Sequence, residues 1–133
     1  MMPRVLIIDD EEEIRDVLSA VLNRAGFEVD AASTGDEGID KLRTKPTEVI
    51  VTDIIMPGKD GVATIKEIRK EFPDVKIIAI SGGGNIGTNS YEPNAIKTTV
   101  YLAAAREAGA DVILPKPFDR DALMKAIRTL TTD

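Results

Sequence analysis

Three short runs constrain this chain most: "VLIID" at residues 5 to 9, "VIVTD" at 49 to 53 and "IIAIS" at 77 to 81. Each is almost continuously apolar and rich in β-branched residues, as a strand buried on both faces requires. Such strands pair in parallel, and a parallel pair needs a long crossover, usually a helix. Helical patterns do lie between the runs. Ile14, Val17, Leu18, Val21, Leu22 and Ala25 fall at three-and-four spacing, which predicts one buried stripe, and Gly26 then stops the helix. Leu123, Ala126, Ile127 and Leu130 repeat that spacing after Asp119, the expected N-cap. "FEVDA" at 27 to 31 alternates apolar Phe27, Val29 and Ala31 with Glu28 and Asp30, the pattern of an edge strand with one wet face. "VIL" at 112 to 114 makes a fifth strand. Five strand–helix units predict an α/β fold, a doubly wound five-stranded parallel sheet covered on both faces. The length suits one domain over residues 1–133, with no repeat, linker or low-complexity tract.

Composition removes whole classes of chemistry. With no Cys and no His, disulfides, thiolate zinc sites, imidazole ligands and Ser-His-Asp triads are excluded together. Catalysis is left to carboxylates, Lys, hydroxyls, backbone or a bound ion. There are 23 acidic against 17 basic residues and no basic cluster, so the summed field repels nucleic acid. The apolar segment near the start is too short for a signal peptide or a membrane span, and the chain reads as soluble and cytoplasmic.

The first run leads straight into five consecutive acids, Asp9 to Glu13. Asp10, Glu11, Glu12 and Glu13 complement the positive end of the first helix, at about 0.3 to 1 kcal/mol each. That does not account for Asp53, far along the chain at the end of another central strand. Ligands in open α/β sheets bind at the carboxyl ends of the strands, where the strand order reverses. If the first and third strands are neighbours, Asp9, Asp10 and Asp53 converge there. Successive residues of a strand face opposite ways, so Asp9 and Asp10 share a pocket only if the chain leaves the sheet between them. Three such carboxylates repel one another by about 4 kcal/mol per close pair at an effective dielectric near 20. An all-oxygen pocket of this kind asks for a hard cation of the Mg2+ type. A carboxylate left free beside the ion can attack phosphorus.

The residues "DD" at 9 and 10, "DIIMPGKDG" at 53 to 61, Ser81 closing "IAIS", and "KPF" at 116 to 118 each stand at the end of an expected strand. In that order the chain resembles a two-component response-regulator receiver domain over essentially its whole length. The resemblance implies the flavodoxin-like strand order 2-1-3-4-5, for which a receiver is a standard example. It makes Asp53 the phosphate acceptor, charged by a histidine kinase or a histidine phosphotransfer protein. Asp9, Asp10, Asp53 and the backbone carbonyl of Ile55 would hold Mg2+. Lys116 would pair with the phosphoryl oxygens, and Ser81 would donate a hydrogen bond to one of them. The protein would then be a signalling switch that catalyses only its own phosphorylation and dephosphorylation, as a monomer or a phosphorylation-dependent dimer. Its downstream partner would meet the face formed by the fourth helix, fifth strand and fifth helix. Pro57, Gly58 and Gly61 read as turn residues without chemistry.

The chain departs from the family pattern in several places. Ile113 stands where receivers carry the aromatic switch residue, and Tyr101 is the available substitute. Residues 82 to 110 exceed the roughly 15 to 24 that a loop, a helix and a return take, which places an extended loop between strand 4 and helix 4, within 82–94. Ile113 and that loop would also suit an interaction module that never takes phosphate. Gly82 and Gly87 reproduce the glycine spacing of a nucleotide-binding loop, but Thr88 and Asn89 stand where its Lys and hydroxyl residue belong. Ile55 and Gly83 occupy the positions that help place hydrolytic water in the family, and neither side chain can hydrogen-bond.

Overall fold

The apolar runs pair into one sheet in the computed structural model, which describes residues 3–54, 61–81, 103–115 and 119–131. In chain order the elements are β1 (Arg4–Ile8), α1 (Glu12–Arg24), β2 (Glu28–Ala32), α2 (Gly35–Thr44), β3 (Val49–Asp53), α3 (Gly61–Glu71) and β4 (Lys76–Ser81). A helical stretch at residues 103–108, called α4, leads to β5 (Val112–Pro115) and α5 (Arg120–Thr131). All strand pairs are parallel and the order is β2-β1-β3-β4-β5, as the resemblance implied.

Alternation along each strand sorts the core into two layers. Leu6, Ile8, Ile50, Ile77 and Ala79 face one side, where α2, α3 and α4 cover them with Ile39, Leu42, Ile65, Ile68 and Ala105. Val5, Ile7, Val49, Val51 and Ile78 face the other side, under Leu18 and Leu22 of α1 and Leu123 and Ile127 of α5. The division follows from the direction of travel. From β1 the chain steps outward to β2 and then returns past it towards β5. Since crossovers are right-handed, a reversal of direction moves the helix to the opposite face.

Local signals place the helix ends. Gly26 takes φ 100°, Phe27 N–H donates to the Leu22 carbonyl at 3.1 Å and Gly26 N–H donates to that of Asn23 at 3.0 Å. This is a Schellman motif, with Phe27 and Leu22 in the same apolar cluster. Phe27 is therefore spent on closing α1, and β2 begins one residue later than "FEVDA" suggests. Gly109, at φ 129°, ends α4 with the same pair of bonds, from Ala110 to Ala105 and from Gly109 to Arg106. Asp119 caps α5 through Ala122 N–H at 2.8 Å. The edge position of β2 matches its alternating sequence. The α1 stripe differs from expectation at Val17, which is 60% exposed. The buried line runs through Leu18 and Leu22 and turns towards half-buried Arg15 and Ser19, leaving Val17 outside it.

Candidate functional site

β1 and β3 lie side by side although α1, β2 and α2 separate them in sequence, so the sheet's reversal point falls between them. Their register sets Ile7 against Val51 and Ile8 against Thr52. One residue further, Asp9 and Asp53 continue the side that carries Ile7 and Val51, under α1 and α5. Asp9 is 1% exposed and Asp53 3%. β1 ends at Ile8 rather than at Asp9, and the chain bends at Asp10 before α1 begins. That early exit from the sheet is the turn that adjacent acids need in order to share a pocket. Carboxylate oxygens of Asp9, Asp10 and Asp53 all lie within 4.8 Å of one another, with only Asp10 exposed.

Backbone contacts fix the floor of the cluster. Asp9 N–H donates to the Ala32 carbonyl at 3.1 Å, and its Oδ1 accepts the Glu11 N–H at 2.9 Å in an Asx-type turn. The Asp9 carbonyl accepts from Arg15 Nη1 at 2.8 Å. On the other strand, Ile54 N–H donates to Ile80 and Gly61 N–H donates to Ile54, at 3.0 and 2.8 Å. The start of α3 presses so closely on the end of β3 that a Cβ on Gly61 would stand 2.4 Å from the Asp53 carbonyl oxygen. Gly61 is thus a packing requirement at the end of β3, a role beyond that of a turn residue.

The oxygens suit a small hard cation. Ligands at about 2.0 to 2.1 Å in an octahedron lie roughly 3 to 4.2 Å apart, close to the spacing already present.

The other expected residues are brought into view unequally. Ser81 ends β4 with its backbone in register with Pro115, and Asp53 is in register with Ile80. The strand end carrying Ser81 therefore stands beside the acid cluster. The Ser81 side chain, Ile55 and Lys116 lie outside the described residues, as do Tyr101 and the glycine-rich loop at 82–94. Ile113 is half-buried against the α2, α3 and α4 layer. Arg15 was not among the expected site residues. Its signal was there, since it is the one basic residue between Arg4 and Arg24, in the stretch that holds the five acids.

Comparison with known proteins gives a consistent picture. The profile of the response regulator receiver domain matches residues 5–128. A putative NtrX-like response regulator of Rickettsia bellii is 35% identical over 122 residues, which cover 90% of this chain and 23% of that protein. The curated relatives are longer, and the chain spans between about a fifth and a half of their lengths. Among solved structures, the chemotaxis protein CheY4 of Vibrio cholerae superposes with a TM-score of 0.79 at 26% identity, covering 98% of this chain and 99% of that one. A response regulator receiver domain protein of Clostridium thermocellum gives 0.77 at 30% identity, covering 97% and 94%.

Proposed function

This chain belongs to the response regulator receiver domain family, and on that premise we propose that residues 1–133 form one receiver that takes a phosphoryl group on Asp53. The observation that carries the reading is the convergence of Asp9, Asp10 and Asp53 at the reversal point of the sheet. An Asp53 carboxylate oxygen attacks phosphorus in line. The bond from phosphorus to the donor's imidazole nitrogen breaks, and that nitrogen leaves with its electron pair and picks up a proton. The product is an acyl phosphate.

Asp9, Asp10 and Asp53, with the Ile55 carbonyl, would hold Mg2+, which when bound supplies charge neutralisation to the phosphoryl oxygens. The protein's part is positioning and electrostatics, the main requirements of phosphoryl transfer. Burial of Asp53 between β1 and β4 limits approach to one direction. Lys116 supplies a cation to the phosphoryl oxygens, and Ser81 supplies a hydroxyl donor from the neighbouring strand end. A histidine kinase or histidine phosphotransfer protein is the donor. A downstream protein reads the state of the face formed by α4, β5 and α5. No helix among the described residues is long and apolar enough to cross a membrane, in keeping with a cytoplasmic switch.

Incubation with acetyl phosphate and Mg2+, followed by intact mass, tests the assignment. One phosphoryl increment is expected on the wild type and none on Asp53→Asn. An unmodified wild type would instead identify an interaction module that never accepts phosphate.

A further inference from the structure

Asp10 is the exposed member of the acid cluster, and its side chain makes no hydrogen bond among the described residues. Its approach to Asp53 therefore depends on the backbone that carries it, at the peptide unit joining Asp9 to Asp10. The groups around that joint are tied down one by one. Asp9 N–H is held by Ala32 of β2, Asp9 Oδ1 by the Glu11 N–H, and the Asp9 carbonyl, which belongs to the joint itself, by the Arg15 guanidinium at 2.8 Å. A change of ψ at Asp9 would turn its carbonyl off the guanidinium and carry Asp10 away from Asp53, and Arg15 is the side chain whose hydrogen bond resists it.

A cation beside a cation site also has an opposing effect, because its charge repels a divalent ion. Here that charge is answered from α2. The Glu37 carboxyl lies below its ordinary value chiefly through hydrogen bonds from Ser33, with Lys41 and Arg15 adding through space. That acid therefore opposes a part of the field of Arg15, which is the smallest of the causes acting on it.

We infer that Arg15 is a positioning residue, which holds the Asp9–Asp10 joint in the orientation that lets Asp10 share a cation with Asp9 and Asp53. The inference rests on the Mg2+-dependent reading above and assigns to α1 a part in metal affinity. Outer partners of metal ligands typically change affinity by about 10- to 100-fold when removed.

The test is calorimetric titration of MgCl2 into wild type, Arg15→Ala, Arg15→Gln and Arg15→Lys, with melting of each in chelator. Arg15→Ala is expected to bind Mg2+ about tenfold more weakly, Arg15→Gln to fall between, and Arg15→Lys to recover most of the loss. Unchanged Mg2+ affinity in Arg15→Ala, tighter binding in Ala and Gln alike, or a loss that Lys leaves unrestored would each overturn the inference. A wild type that binds no Mg2+ would overturn the functional reading itself and this inference with it.

Discussion

Asp53 and Asp9 are nearly shut off from water and stand with Asp10 inside 4.8 Å. At that separation a pair of charges repels by about 3.5 kcal/mol at an effective dielectric near 20. Replacing Asp53 by Asn removes its share of this repulsion and keeps the shape. Asp53→Asn should therefore melt several degrees above wild type in chelator, and the gap should narrow as Mg2+ is added; a lower melting point in chelator would show that these acids are already compensated. Water placement matters at the same scale. Because Ile55 and Gly83 carry no hydrogen-bonding side chain, the phosphorylated protein should lose its label slowly in a Mg2+ chase, and loss within seconds would count against the assignment. The candidate acids were legible because each sits at the end of a recognisable apolar run. Gly61 was legible only as a turn residue, since its contact with the Asp53 carbonyl arises when α3 folds back on β3. Arg15 was passed over for a similar reason: a lone Arg on an acidic helix reads as a solvated charge until the Asp9 carbonyl is placed beside it.

Between residues and the whole, β2 and α2 form a charged unit at the sheet edge. Thr34 caps α2 by accepting the Glu37 N–H at 3.1 Å, while Glu37 accepts both the N–H and the hydroxyl of Ser33. The arrangement is a variant of the capping box, with the acid reaching back to Ser33 rather than to Thr34. Lys41 Nζ donates to Asp30 at 3.0 Å and to the Ala31 carbonyl at 2.8 Å. Burial alone would push the Asp30 carboxyl up, but hydrogen bonds from Lys41 and the Ala31 N–H, and the nearby lysine charges, hold it below its ordinary 3.8. Glu37 lies below its ordinary 4.5, first through Ser33 and less through Lys41. Both carboxyls are depressed in the folded state, so their contribution is present above the ordinary values and is lost as pH falls through the lowered ones. Lys41→Met should be about 0.2 to 1 kcal/mol less stable at neutral pH and lose less than wild type on titration from pH 5 towards 3, mainly through Asp30; urea melts across that range measure both. Equal losses in the two proteins would show that Lys41 does not set the Asp30 protonation equilibrium. Helix α1 marks a limit of reading at this scale. Spacing gave its stripe but could not set its rotation, which follows the line from Leu18 and Leu22 towards Arg15 and leaves Val17 in water.

For the whole molecule, the decisive feature is an adjacency between strands that are not consecutive. Buried runs alternating with helical spacing establish an α/β sheet, but many strand orders share that pattern. The order became legible only through motifs that the family resemblance ties to strand ends. Placing β1 beside β3 concentrates acid at the carboxyl edge of a chain whose net charge is already −6. Two kinds of repulsion then oppose folding, and salt separates them. Surface charges are screened over about 10 Å at 0.1 M ionic strength, whereas a buried cluster is screened far less. KCl should thus raise the melting temperature of the metal-free protein by a small amount that levels off. MgCl2 at about 100 times its dissociation constant should add about 2.7 kcal/mol, or roughly 10 °C for a domain of this size, and less than half of that in Asp53→Asn. If KCl at matched ionic strength reproduced the full MgCl2 shift, the three carboxylates would be responding to bulk screening, and their meeting at the reversal point of the sheet would not amount to a cation site.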